Sequence, residues 1–315
     1  MKISVIVPMY NEEENVVRTL TKIDDVIKKY EDYEILVIDD GSIDKTSQLV
    51  SDFQKSNPNV QLIKHAVNAG RGRALRTGFD NVSGDIIVTT DADLSYDAEH
   101  IPLLADELII DESADIIVGS PYMKGGGTEN VPALRLWISK IANKFVGFAM
   151  GGDLRTVTGI LRAYRIEVLD SLELESDGKE IHLEILSKAV ALGYKIKETP
   201  ATLKGRELGR SKIKFRATAI SHILFSFYER PMILFGSMGL VLCFVGMLIG
   251  IYLFYLYMIN SLNPERPLMI LMILLVLGGI QVIVFGFVAT QISLLKREIY
   301  IIQKENKMIR KKLFK

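Results

Sequence analysis

Two aspartates one residue apart, Asp91 and Asp93, end the stretch Asp85-Ile-Ile-Val-Thr-Thr-Asp91-Ala-Asp93-Leu-Ser95. Like charges this close raise each other's pKa, and a dry interior cannot hold both without a cation. The apolar run before them, Ile86 to Val88, reads as a buried strand. At the carboxyl edge of a parallel strand the pair would stand at the mouth of a crevice, where open α/β sheets bind ligands. Hard oxygen donors there suit Mg²⁺ or Mn²⁺, which can bridge to a diphosphate. D-x-D is short and common, and the same letters also fit a strand followed by an acidic turn.

The elements that must position this pair come in order. Ile3 to Val7 reads as a first strand, ended by Pro8-Met-Tyr10-Asn11-Glu12. A helix from about Glu12 to Tyr30 follows, with three glutamates in its first turn at the positive end of the helix dipole. Glu34 to Ile38 is a second strand ending in Asp39-Asp40-Gly41-Ser42, and Asp44 or Ser42 caps the helix after it. A carboxylate there can hold a nucleobase or a ribose hydroxyl, or it can simply shape a turn. After a third strand at 60–65 comes Asn68-Ala-Gly70-Arg71-Gly72-Arg73, opening a helix to about Asn81. Glycines and arginines at a helix N-terminus suit an anion. This is not a Walker motif, because no Gly-Lys-Ser/Thr follows, and not a dinucleotide fingerprint, because the glycines follow the third strand. After the Asp91/Asp93 strand come a helix from about Ala98 to Ile110 and a strand from Asp115 to Gly119. Strand and helix thus alternate five times, which predicts an α/β fold with a mainly parallel sheet and helices on both faces. Polar groups at four strand ends predict a nucleotide crevice along one edge.

Further on, Arg135 to Met150 reads as a helix, with Arg135, Ser139 and Asn143 four apart on one face. Such a stripe is also an ordinary solvated face. Thr158 to Arg165 reads as a loop entering an amphipathic segment, Lys179 to Gly193 as a helix, and Tyr194 to Thr199 as a strand. His182 on that helix reads as a surface or packing residue. Arg206-Glu-Leu-Gly209-Arg-Ser211-Lys212 is a basic loop suited to closing over phosphate, or to attraction by anionic lipid.

Charge divides the chain. Residues 1–203 carry 22 basic and 33 acidic side chains, and residues 204–315 carry 16 and 5. The acidic first part argues against a nucleic-acid partner. In the second part, 34 uncharged residues separate Arg230 from Glu265 and 29 separate Arg266 from Lys296. Each run exceeds the roughly 20 apolar residues that a membrane span needs. Two spans follow, about 231–259 and 267–294, with Gly236, Gly239, Gly246 and Gly250 suited to close helix packing. Basic residues at 204–216 and 296–315 flank them, while the connecting loop has one Arg and one Glu, which predicts a cytoplasmic first domain and cytoplasmic termini. Nothing in the first residues reads as a signal peptide. Cys243, the single cysteine, falls inside the first span, so neither a disulfide within the chain nor a cysteine metal site is expected. The expected organisation is a domain at 1–203, a basic loop and amphipathic juxtamembrane helix at 204–230, spans within 231–295, and a basic helix at 296–315. Ile292, Leu295, Ile299, Ile302, Ile309 and Leu313 follow a heptad with Asn306 in the seam, which fits a short coiled coil and hence a homo-oligomer, or a helix lying on the membrane.

Taken together, the chain resembles the family-2 glycosyltransferases, in particular the dolichyl-phosphate mannose synthase and polyprenyl-phosphate glucosyltransferase group. The resemblance runs from residue 3 to about 216. It rests on Val7-Pro8-Met-Tyr10-Asn11-Glu12, Asp39-Asp40-Gly41-Ser42, Asn68-x-Gly70-Arg71-Gly72, Asp91-Ala-Asp93, Thr158-Gly-x-x-Arg162-x-Tyr164-Arg165 and Gly209-x-Ser211-Lys212. It implies a GT-A (Rossmann-like) domain that moves a hexose, with inversion, from a nucleotide sugar to a polyprenyl or dolichyl phosphate at the bilayer surface. GDP-mannose is slightly favoured as donor, and UDP-glucose is the alternative. It implies that Pro8, Tyr10, Glu12, Asp39 and Asp40 hold the nucleoside. Asp91, Asp93 and Ser95 would hold Mg²⁺ or Mn²⁺, Arg206 and Lys212 the phosphates, and Arg135 and Ser139 the acceptor's phosphate. Asp91, Asp93 and Arg206 carry the catalytic expectation. Related synthases commonly read Gly-Ser-Arg-Tyr where this chain has Gly119-Ser120-Pro121-Tyr122, so an arginine expected at the lipid phosphate is missing. Trp137 lacks the Gln-x-x-Arg-Trp context of processive synthases, and the intact aspartates argue against a non-catalytic scaffold.

Overall fold

The computed structural model describes residues 1–149, 154–205, 231–261 and 267–313. Arg206, Lys212 and the expected amphipathic helix at 213–229 lie outside the described residues. The chain divides into two compact units, Met1–Ile223 with Ile299–Lys315, and Leu224–Glu298.

In the first unit, β1 (Ile3–Met9), β2 (Tyr33–Asp39), β3 (Val60–Lys64), β4 (Ile86–Thr89), β5 (Ile116–Ser120), β7 (Arg162–Arg165) and β8 (Ile196–Pro200) form one sheet. Its order is β3-β2-β1-β4-β7-β5-β8. All neighbours pair in parallel except β7, which runs antiparallel between β4 and β5. β1 and β2 are nearly unbroken Ile, Val and Leu runs because both faces are buried, so no polar face is needed. Helices α1 (Val16–Ile27), α2 (Thr46–Ser56), α3 (Arg71–Asn81) and α4 (His100–Ile110) alternate with the first five strands. α1 buries Val16, Leu20, Ile23 and Ile27, a stripe at three- and four-residue spacing.

The structure differs from the expectation at three places. The segment read as a loop at Thr158 to Arg165 contains β7, a central strand flanked by α6 (Ile166–Ser171). Glu12, Glu13 and Glu14 precede α1 instead of opening it. The Glu12 carbonyl accepts the Asn15 and Val16 N–H groups, and Asn15 takes the N-cap position. A two-stranded ribbon, β6 (Gly127–Glu129) with β9 (Thr202–Lys204), was not expected. The remaining helices of this unit are α5 (Ala133–Ala149) and α7 (Ile181–Ala191).

Two long apolar helices follow, α8 (Pro231–Met258) and α9 (Pro267–Leu313). Both are long and apolar enough to cross a membrane. They pack closely: a Cβ on Gly239 would lie 2.6 Å from the Gly279 carbonyl oxygen, and one on Gly246 3.3 Å from the Val276 nitrogen. α9 is one continuous helix of 47 residues, about 70 Å long at 1.5 Å per residue, more than twice the bilayer's hydrocarbon core. Its last turns belong to the first unit. The Lys307 ammonium donates to the Leu172 and Leu169 carbonyls at 2.6 and 3.3 Å, at the C-terminal end of α6, where a cation is favoured. Lys304 lies over the Tyr194 ring and Lys188 over Tyr300. Tyr300, Lys304 and Lys307 thus meet the first unit, while Ile299, Ile302 and Ile309 of the heptad stripe stay exposed.

Candidate active site

The carboxyl ends of β1, β2 and β4 open onto one cleft of about 740 Å³. Its wall includes Pro8, Tyr10 and Glu12 from the end of β1, Asp40 after β2, Asn68, Gly70 and Arg71 at the start of α3, and Asp91, Asp93 and Ser95 after β4. Three of these ends are cross-tied. Asn11, with φ +51°, donates its N–H to the Ser42 hydroxyl and accepts the Ile43 N–H, both at 2.9 Å. Asp40 accepts the Ala69 and Gly70 N–H groups at 2.9 and 2.8 Å and pairs with His65 at 2.9 Å. Asp44 was expected to cap α2; the N-cap position is Lys45, and Asp44, one residue earlier, accepts the Thr46 N–H at 2.9 Å.

The aspartate turn is anchored on both sides. The Thr19 hydroxyl of α1 donates to the Ala92 carbonyl at 2.6 Å. Asp93 accepts both the N–H and the hydroxyl of Ser95, at 3.0 and 2.6 Å. The hydroxyl expected as a metal contact is thus engaged in orienting Asp93. Leu94 between them is buried yet has φ +53°, a left-handed conformation that costs a non-glycine residue of the order of 1 kcal/mol. Asp91 lies 3.1 Å from the Arg71 guanidinium. Burial pushes the Asp91 carboxyl above its ordinary range, Arg71 pulls it down, and Asp93 pushes it up again. Asp91, so placed beside Asp93, has room for a cation's charge. Among the described residues no three His, Cys, Asp or Glu side chains converge. A hard divalent ion would therefore be held by one or two carboxylates and completed by ligand oxygens, as Mg²⁺ commonly is.

Asp39 is elsewhere. It is fully buried, it accepts the Ser42 N–H at 2.9 Å and the Ser47 hydroxyl, and it is not on the cleft wall. Its carboxylate shapes the turn that presents Asp40. The Asn68–Arg73 segment also departs from its expected role as an open anion site. The first α3 amides are already satisfied: Gly72 and Arg73 donate to the Asp177 carbonyl at 2.7 and 3.2 Å. Gly70 has φ +99°, and a Cβ on Gly72 would lie 2.3 Å from the Ser176 oxygen. The glycines therefore admit the loop at 175–178. Arg162 is likewise internal, fully buried and donating to the His182 and Val157 carbonyls at 2.8 and 2.6 Å.

On α5, Ser139 accepts the Tyr122 hydroxyl at 2.8 Å. Asn143 accepts the Val157 and Thr158 N–H groups at 2.8 and 3.2 Å. Arg135 is on the same helix, and its side chain lies outside what is described. The expected stripe is thus partly a seam between α5 and the loop before β7.

Sequence reasoning missed two contributors. The ribbon closes one side of the cleft with Asn130, Val131, Pro132, Leu203 and Lys204. It is joined to the aspartate turn by the Lys204 N–H to the Ser95 carbonyl at 2.7 Å, and Lys204 pairs with Asp97 at 2.8 Å. His100 accepts the Thr202 N–H at 2.7 Å, and burial holds its pKa below the usual value. The other contributor is Lys179, which lines the cleft from the loop before α7. The only signal for it was its place beside Gly178 at a helix start.

The model of Glycosyl transferase family 2 matches residues 4–173. The chain is 38% identical over 216 residues to a dolichol-phosphate mannosyltransferase of Pyrococcus furiosus, covering 68% of this chain and 60% of that protein, so it spans less than two thirds of that relative. It is 35% identical to a polyprenol monophosphomannose synthase of Mycolicibacterium smegmatis, covering 66% of this chain and 80% of that one. The fold is similar to glucosyl-3-phosphoglycerate synthase from Mycobacterium tuberculosis, solved with Mn²⁺, UDP and phosphoglyceric acid, with a TM-score of 0.54, 20% identity, and coverage of 71% of this chain and 78% of that one. The mainly parallel sheet, the crevice at its carboxyl edge and these matches agree: this chain has the GT-A fold and belongs to glycosyltransferase family 2.

Proposed function

We propose that this protein transfers a hexose from a nucleotide sugar to a polyprenyl or dolichyl phosphate, inverting the anomeric carbon, with GDP-mannose as the favoured donor. The observation that carries the reading is a cleft that gathers Tyr10, Glu12, Asp40, Asp91 and Asp93 from three strand ends. The two relatives named for polyprenyl or dolichol phosphate and mannose support both acceptor class and sugar. The long apolar helices support an acceptor drawn from a bilayer. The basic flanks support a cytoplasmic catalytic face.

Pro8, Tyr10, Glu12 and Asp40 would hold the nucleoside, with Asp39 bracing the turn behind them. Asp91 and Asp93, the latter oriented by Ser95, fit Mg²⁺ or Mn²⁺, which would supply charge neutralisation at the leaving diphosphate. Arg71, which pairs with Asp91 at 3.1 Å and lines the same cleft, would meet the same anion. Arg206 and Lys212 would close over the phosphates, and Arg135 and Ser139 would receive the acceptor. An acceptor monophosphate is already anionic near neutral pH, so its oxygen attacks the anomeric carbon without a general base. The bond from that carbon to the donor's distal phosphate oxygen breaks, and the nucleoside diphosphate leaves with the electron pair. Catalysis is then positioning and charge stabilisation.

A donor panel tests the reading. Full-length protein in detergent, with Mn²⁺ or Mg²⁺ and a polyprenyl phosphate, is offered GDP-mannose, UDP-glucose and UDP-N-acetylglucosamine, each labelled in the sugar. Label entering the lipid phase from GDP-mannose is the expected result. Entry from a UDP-sugar instead corrects the donor, and no lipid product from any donor overturns the reading.

A further inference from the structure

The loop before α7 enters the cleft at Lys179, between residues that are fixed on both sides. The Glu175 and Ser176 N–H groups both donate to the buried Glu184 carboxylate at 2.9 Å. The Asp177 carbonyl accepts two α3 amides, and its carboxylate pairs with Arg76 at 3.1 Å. The Lys179 carbonyl accepts the His182 N–H at 3.3 Å. A long cation on such a loop has its backbone placed before any ligand arrives, which reduces the ordering cost of binding. The described cleft wall carries four carboxylates, Glu12, Asp40, Asp91 and Asp93, against three cations, Arg71, Lys179 and Lys204. Lys179 is close enough to act electrostatically on Asp91.

We propose that Lys179 is a diphosphate-binding residue, whose ammonium contacts the phosphoryl oxygens of a nucleoside diphosphate seated against Asp91 and Asp93. The assignment rests on the nucleotide-sugar reading above and adds a residue and a ligand group to it. An ammonium is a compact point charge that contacts phosphate oxygens without the planar geometry of a guanidinium. It acts on the diphosphate only, so the nucleoside part of the ligand should not sense it.

The test is calorimetric titration of full-length protein in detergent with Mn²⁺, using GDP, UDP, guanosine and uridine as probes. Lys179→Gln should weaken the nucleoside diphosphate that wild type binds by about tenfold or more, the scale of one charge-assisted hydrogen bond. Lys179→Arg, which keeps the charge, should stay within about threefold, and binding of the matching nucleoside should not change in either variant. Unchanged diphosphate binding in Lys179→Gln, or equal weakening in Lys179→Gln and Lys179→Arg, overturns the assignment and leaves the proposed reaction standing. Wild type that binds neither GDP nor UDP overturns the nucleotide-sugar reading and this assignment together.

Discussion

Glu184 offers a perturbation whose size can be worked from the structure. It is 8% exposed. Its carboxylate accepts two backbone N–H groups at 2.9 Å and the Lys188 ammonium at 2.7 Å. Glu184→Gln keeps the shape, removes the charge and replaces one acceptor oxygen by an NH₂ that faces donors. Hydrogen bonds to charged groups contribute about 1.5–3 kcal/mol each, and breaking a buried ion pair costs about 3–5 kcal/mol. Lys188 keeps the Glu173 carbonyl as a partner, which offsets part of the loss. The net expectation is about 2–4 kcal/mol of destabilisation. For a unit of this size that is a fall in Tm of roughly 5–15 °C, read by thermal unfolding in detergent. The variant should also lose pH dependence. Burial pushes the Glu184 carboxyl up, but Lys188 and the Ser176 contacts outweigh it and the net shift is downward. The folded state then binds this proton more weakly than the unfolded one. The stabilisation is complete above about pH 4.3 and is lost as pH falls through the lower folded value. A Tm within 2 °C of wild type, with the acid limb unchanged, would refute the brace.

Three further expectations follow from individual contacts. Gly72→Ala should destabilise by about 1–3 kcal/mol, although alanine ordinarily favours a helix, because its Cβ meets the Ser176 and Gly178 oxygens; donor KM should rise more than kcat falls. His100 accepts the Thr202 N–H only when neutral, and its folded pKa is lowered, so stability is complete above about pH 6.5 and declines as pH falls through the folded value. Tm measured from pH 7 to 5 should show that slope in wild type and a flatter one in His100→Gln. Asp91→Asn should cost turnover about 100-fold or more while Tm holds or rises, since burial and Asp93 already disfavour the charge that the variant removes; a large Tm drop would mean that Asp91 serves the fold.

Much of the scaffold was legible. β1, β2 and β4 are apolar β-branched runs, and the polar residues that end them meet in one cleft because parallel strands share a carboxyl edge. β7 was not legible, because Arg162-Ala-Tyr-Arg165 has charges at both ends and its burial depends on pairing with β4 and β5. Arg162 donates from two of its guanidinium nitrogens to carbonyls 5 and 20 residues away, contacts that no local pattern encodes. The Gly70 and Gly72 pair was read for a phosphate when its partner is a loop about 100 residues downstream. Asp39 and Asp40 look alike in sequence, and only the backbone turn decides that one faces the cleft while the other faces Ser42 and Ser47. The contacts of Lys307 near the end of α9 were not legible either, because the Leu169 and Leu172 carbonyls it meets lie far away in the chain.

The central claim is that a phosphate oxygen of the lipid replaces the nucleoside diphosphate at the sugar's anomeric carbon. The most direct measurement is ³¹P and ¹³C NMR of the lipid-phase product formed from a donor labelled at that carbon. The account predicts a phosphodiester phosphorus coupled to the labelled carbon, with the anomeric configuration opposite to the donor's. Free labelled hexose, or a lipid product that retains the donor's configuration, would contradict it.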